Sequence, residues 1–125
     1  MESEQNGPES NEERVIEREK IAVGAVEDLP VGRGATVELP NGDELALYNI
    51  GGQFFAVENF CPHRGAPLAE GILCEYTVEC ILHGWEFDVR TGKCLTTDAD
   101  ISAYEVEIEN GQINILIDPK VDRPR

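Results

Sequence analysis

A chain of 125 residues with 41% hydrophobic content is long enough to bury one core of its own and too short for several. Its formal net charge of −15 repels nucleic acid and anionic membranes, and no apolar run approaches the ~20 residues that a membrane span needs. The same charge would steer the molecule toward a basic face on a partner protein, although plain solubility also accounts for it.

Positions 1–20 hold seven acidic and three basic residues and few apolar ones, which predicts a disordered acidic tail, with room for a helical turn near Ser10-Asn11-Glu12-Glu13. The tail has neither the apolar stretch of a secretory signal nor a twin arginine, so the cytoplasm is the expected compartment. From about Ile21 the pattern turns to strands. Val37 and Leu39 alternate with polar neighbours, Asn41-Gly42 supplies a turn, and Leu45 and Leu47 resume the alternation. Ile50-Gly51-Gly52 leads into Phe54–Glu58, with Phe55 and Val57 on one face. Further on, Tyr104, Val106 and Ile108 alternate up to Asn110-Gly111, and Ile113, Ile115 and Ile117 alternate beyond it. No segment has a helical period, so the chain is expected to be all-β.

Between the second and third hairpins, Phe60 to about Asp98 is rich in Gly and Pro and contains all four cysteines. The expected organisation is an antiparallel, β-sandwich-like base over 21–118 with an inserted, loop-rich subdomain at about 60–98 and a short C-terminal tail at 119–125. Cys61-Pro62-His63 and Cys80-Ile81-Leu82-His83 both fall on loops of that insertion, and they contain the only two histidines of the chain. Cys74 and Cys94 lack a histidine downstream and suit the role of small buried hydrophobes.

Two thiols and two imidazoles in this split form can hold a binuclear iron–sulfur centre, with both cysteines on one iron and both histidines on the other. Two ferric ions, two sulfides and two thiolates sum to zero charge, whereas an all-thiolate centre starts two units more negative. Neutral imidazoles therefore ease reduction. A Cys₂His₂ set also satisfies tetrahedral zinc, and spacing alone leaves that alternative open.

The flanking residues carry more. Cys61-Pro62-His63-Arg64-Gly65-Ala66-Pro67-Leu68 and Cys80-Ile81-Leu82-His83-Gly84-Trp85-Glu86-Phe87-Asp88 resemble the two cluster-binding boxes of Rieske proteins, above all the small Rieske ferredoxins of multicomponent ring-hydroxylating oxygenases. Arg90-Thr91-Gly92-Lys93 is similar to the turn after the second box. The resemblance implies a Rieske fold and one [2Fe–2S] cluster per chain, with Cys61 and Cys80 on the inner iron and His63 and His83 on the outer iron. It also implies an electron carrier without substrate chemistry of its own. Such a carrier would be monomeric, accept electrons from a flavin-containing NAD(P)H reductase and pass them to a terminal oxygenase.

High-potential members of the family carry a disulfide between the loops, where Ala66 and Leu82 stand here, and a serine and a tyrosine that donate toward sulfur, where Trp85 and Phe87 stand here. Fewer donors imply a potential near the low end of the Rieske range, on the order of −150 mV. The chain has no spare histidine for the mononuclear iron site of an oxygenase. A fixed redox subunit of another oxidoreductase, similar to a nitrite reductase small subunit, is the alternative function. Pro62, Arg64 and Leu82 are candidates for a docking rim, and Trp85 and Phe87 for packing beneath the loops. Gly65 and Gly84 are expected to serve backbone geometry, and Asp98-Ala99-Asp100 either a covering loop or a solvated turn.

Overall fold

The computed structural model describes residues 18–62, 65–82 and 84–117. Nine strands make up about half of it: β1 (Glu19–Ala25), β2 (Gly34–Glu38), β3 (Glu44–Ile50), β4 (Gln53–Glu58), β5 (Ile72–Cys74), β6 (Thr77–Glu79), β7 (Glu86–Asp88), β8 (Ala103–Glu109) and β9 (Gln112–Ile117). The described residues contain no α-helix, only two 3-10 turns at Val26–Asp28 and Leu68–Glu70. β1 includes Glu19 and Lys20, which charge alone assigns to the acidic tail. The remainder of that tail, with its Ser10 turn, and the C-terminal 119–125 segment lie outside the described residues.

Six strands form one antiparallel sheet in the order β1-β9-β8-β4-β3-β2, and β5-β6-β7 form a second, smaller sheet. All three expected hairpins form. Gly51-Gly52 joins Ile50 to Gln53, and Asn110-Gly111 joins Glu109 to Gln112, each as a two-residue turn. Asn41-Gly42 sits instead in a five-residue connection between Glu38 and Glu44, closed by the Leu39 and Asp43 backbones and by the Asn41 carbonyl, which accepts from Asp43 N–H at 2.9 Å.

The large sheet curls because β4 and β8 are joined through only two residue pairs, Ala56–Tyr104 and Val57–Ala103. Its two halves close on a core of Leu29, Leu39, Leu45, Leu47, Ala56, Ile113 and Ile115. Leu45 and Leu47 therefore point inward as their alternation suggests. The intervening Ala46 and Tyr48 are buried as well, in a second core shared with Leu68, Val78, Phe87 and Val89 of the insertion. The central strand β3 is thus covered on both faces, one by the base and one by the inserted subdomain, which explains its nearly unbroken apolar run.

The insertion is less loop-like than its composition suggests. Its three strands are three residues each, and Val78 pairs with Leu73 and Phe87 to give a small sheet whose inner face rests on β3 and β4. A T-shaped contact between Phe55 of β4 and Tyr76, with ring centroids 5.7 Å apart, ties this sheet to the base, and the Arg90 guanidinium covers the Tyr76 ring at 4.3 Å from within the insertion.

Candidate metal centre

The two cysteine-histidine segments fold into loops of one design. The first spans six residues between the bridged pair Phe60 and Pro67, the second six residues between the paired Glu79 and Glu86. Each opens with its cysteine, whose N–H donates to the carbonyl five residues on: Cys61 to Ala66 at 2.9 Å and Cys80 to Trp85 at 2.7 Å. Each turns at a glycine four residues after the cysteine, Gly65 with φ 74° and Gly84 with φ 71°. At that φ a side chain would be strained, so the glycine lets a six-residue loop close. The sequence resemblance of the two motifs is therefore a resemblance of backbone.

Because both cysteines sit at the roots of their loops, both are buried, with 1% exposure for Cys61 and 2% for Cys80, in the same core beneath the insertion. Burial pushes the Cys80 thiol above its ordinary pKa, and a hydrogen bond with Cys61 pushes it further, while the Leu82 N–H at 3.4 Å opposes the shift. Two free thiols side by side in a low-dielectric core are a costly arrangement for charge unless a cation shares it. This donor set fits a metal centre that takes two thiolates. His63, Arg64 and His83 lie outside the described residues.

The other two cysteines part company. Cys94 is buried as expected, but it is not merely a space-filler. Its sulfur meets the Thr97 hydroxyl at 3.1 Å and the Thr96 hydroxyl at 3.5 Å and accepts from Thr97 N–H at 3.3 Å. Burial would raise its pKa, yet these hydrogen bonds prevail and lower it. Cys74 is exposed, which corrects the buried role expected for it. In the three-residue strand β5, Leu73 takes the inward position and Cys74 must face out.

Phe87 is fully buried, and Trp85 is half-buried against the same core, so both lie under the loops. Pro62 and Leu82 are exposed, as a rim requires, and Phe60, Ile81 and Leu95 add exposed apolar area near the roots of the two loops. Asp98-Ala99-Asp100 forms a local turn in which the Asp100 carboxylate accepts from Cys94 N–H at 2.8 Å. Sequence reasoning missed Asn59 and Tyr48. Asn59, 1% exposed, accepts from Leu68 N–H with its backbone carbonyl and from Ala69 N–H at 2.9 Å with its side chain. Its amide group donates to the Thr36 hydroxyl at 3.2 Å, so it fastens both ends of the first loop to the base. An asparagine two residues before a motif cysteine carries no signal of this role in the sequence, since only the fold shows that it is buried and must be hydrogen-bonded.

The family description "Rieske [2Fe-2S] domain" matches residues 19–106, and the chain belongs to that family; its cofactor is a Rieske-type [2Fe–2S] cluster. Among curated relatives, the ferredoxin component of the naphthalene 1,2-dioxygenase/salicylate 5-hydroxylase systems of Ralstonia sp. is 38% identical over 100 residues, covering 78% of this chain and 95% of that protein. The ferredoxin component of the naphthalene 1,2-dioxygenase system of Pseudomonas putida is 42% identical over 87 residues, covering 68% and 79%. A chain from the complex of reduced oxygenase and oxidized ferredoxin in carbazole 1,9a-dioxygenase superposes with a TM-score of 0.74 at 31% identity, covering 82% of this chain and 97% of its own length. No helix among the described residues is long and apolar enough to cross a membrane.

Proposed function

We propose that this protein is the ferredoxin component of a ring-hydroxylating dioxygenase system, a carrier without substrate chemistry of its own. It takes electrons singly from a flavin-containing NAD(P)H reductase and delivers them to a terminal oxygenase, as a monomer in the cytoplasm. What supports this most is the burial of Cys61 and Cys80 side by side in two loops of one design, within a chain that spans 95% of a ferredoxin component's length. Cys61 and Cys80 hold one iron of the cluster, and His63 and His83 hold the other. The bound cluster supplies a one-electron couple whose geometry changes little between its two charge states.

The rest of the task falls to the chain. The buried cysteines keep their end of the site dry, and the Cys61–Ala66 and Cys80–Trp85 backbone hydrogen bonds hold the two ends of each loop together, which limits rearrangement on electron transfer. Pro62, Arg64 and Leu82 form the docking rim. The folded domain covers 21–118, with the acidic 1–20 segment and the 119–125 segment as appendages. Neither Trp85 nor Phe87 has a hydroxyl to offer sulfur, so the potential lies near the low end of the Rieske range, on the order of −150 mV.

The test is an EPR spectrum of anaerobically purified, dithionite-reduced protein, with iron and zinc assayed on the same sample. A rhombic signal with an average g below that of all-thiolate clusters is the expected result. A silent spectrum with one zinc and no iron would make the site structural and overturn the reading. A redox titration with a midpoint above zero would overturn the low-potential assignment alone.

A further inference from the structure

The root of the second loop sets two like charges face to face beside a cysteine of the site. Glu79 and Glu86 stand directly opposite each other on the antiparallel strands β6 and β7, so their side chains share one face. Like charges in that position destabilise a sheet. Two residues along β7, the acidic Asp88 is matched by Arg90, which donates to it from Nε at 3.1 Å and Nη2 at 2.8 Å. Among the described residues neither the Glu79 nor the Glu86 carboxylate has a counter-ion or a hydrogen-bond donor. Both are half-buried rather than fully solvated. Glu79 also turns toward the loop. Its Oε2 lies 3.0 Å from the point a Gly84 β-carbon would occupy, in the stretch that follows His83.

We propose that the Glu79–Glu86 carboxylate pair at the root of the second loop holds down the midpoint potential of the cluster. The proposal rests on the assignment of Cys80 and His83 as cluster ligands. Reduction adds one electron, supplied by the reductase, with no bond made or broken and no proton moved, so the loop becomes one unit more negative. Two fixed, partly desolvated negative charges at its root oppose that change, and partial burial strengthens the opposition relative to open water. The unfavourable pairing then has a purpose. The repulsion that weakens the sheet locally is the same field that favours the oxidised cluster, and conflicts of this kind are expected where function is served. The effect is separate from the missing hydroxyl donors at Trp85 and Phe87 and adds to it.

The experiment is a redox titration at neutral pH of the full-length holoprotein and of Glu79→Gln, Glu86→Gln and the double variant, with the thermal midpoint measured on each. Glu79→Asp retains the charge. Glu27→Gln removes the same charge from an exposed 3-10 turn whose neighbour Val26 bonds Gly111, at the end of the base where β8 turns into β9. Both glutamine variants should shift the potential upward, the double variant most, with Glu79→Asp staying near the parent and Glu27→Gln unmoved. All three glutamine variants at the root should also melt no lower than the parent, because a repulsion has been relieved. A purely structural pair would move the thermal midpoint and leave the potential where it was, which would overturn the proposal. Equal shifts in Glu27→Gln would also overturn it, by making the effect one of net charge. A parent protein that binds no iron would instead remove the cluster assignment, and the proposal with it.

Discussion

The Tyr48 hydroxyl donates to the Leu68 carbonyl at 2.6 Å, so the central strand of the base holds the segment that leaves the first cysteine loop. Both groups are buried, Tyr48 at 1% exposure and Leu68 at 0%. Tyr48→Phe keeps the ring and removes this bond, leaving the Leu68 carbonyl with the Gly71 N–H at 2.9 Å as its donor, which should cost about 0.5–1.5 kcal/mol in chemical denaturation. The same contact has a pH signature. Burial raises the phenol well above its ordinary pKa of 10. A raised pKa means that the folded state holds its proton more tightly than the unfolded one, so the stabilisation is complete below pH 10 and is lost as pH climbs toward the folded value. Wild-type stability should therefore decline above pH 10 more steeply than that of Tyr48→Phe. Parallel alkaline profiles for the two proteins would refute this account of Tyr48.

Gly92 closes the Arg90–Lys93 turn with φ 82°, and a β-carbon there would press into the Ile101 carbonyl oxygen. That carbonyl belongs to backbone, and Ile101 N–H already donates to the Gly92 carbonyl at 2.8 Å, so neither side can give way. Gly92→Ala should combine backbone strain with steric overlap and destabilise the fold by about 3 kcal/mol or more. An unfolding midpoint equal to that of the parent would mean that the turn re-forms around the new methyl group.

The parts of this fold that were legible in the sequence are those where one face is wet. Tyr104 and Val106, half-buried between the exposed Ala103, Glu105 and Glu107, declare a strand because period two separates core from solvent. β3 hides part of its role, since Ala46 and Tyr48 are buried by a subdomain whose position no local pattern records. The strands β5, β6 and β7 are three residues each, too short for any period to register. The cysteine motifs were legible because two kinds of ligand recur at fixed spacing. Asn59 was not, because a single polar residue that acts through five hydrogen bonds has no period at all. Cys74 and Cys94 were indistinguishable by neighbours, and only strand parity and the Thr96-Thr97 turn separate them.

Cys61→Ser and Cys80→Ser should each yield colourless protein, because a hydroxyl is a poor replacement for a thiolate on iron and the remaining cysteine cannot hold the centre alone. Cys74→Ser is the matched control. Cys74 faces solvent from β5, and its replacement should leave colour and iron content unchanged. The check is visible absorbance together with iron per chain. Full cluster retention in either loop variant would refute the ligand assignment, and loss of cluster in the Cys74 variant would show that the small sheet itself tolerates no change.

The acidity of the chain makes a kinetic prediction that is independent of its stability. Salt bridges such as Lys20 with Glu107 and Glu109 are exposed and local, and they leave the net charge of −15 intact. A partner with a basic docking face would meet this charge as a long-range attraction that concentrates productive encounters. The Debye length shrinks from roughly 30 Å at 0.01 M salt to roughly 3 Å at 1 M, so the attraction should disappear over that range. The second-order rate of electron transfer to the terminal oxygenase should then fall by about tenfold or more, while the midpoint potential of the carrier changes far less. Stopped-flow mixing of the reduced protein with its oxygenase across that range measures this directly. A rate that stays flat as salt rises would mean that docking relies on the apolar rim of Phe60, Pro62, Ile81, Leu82 and Leu95 alone, and that the acidity of the chain serves solubility.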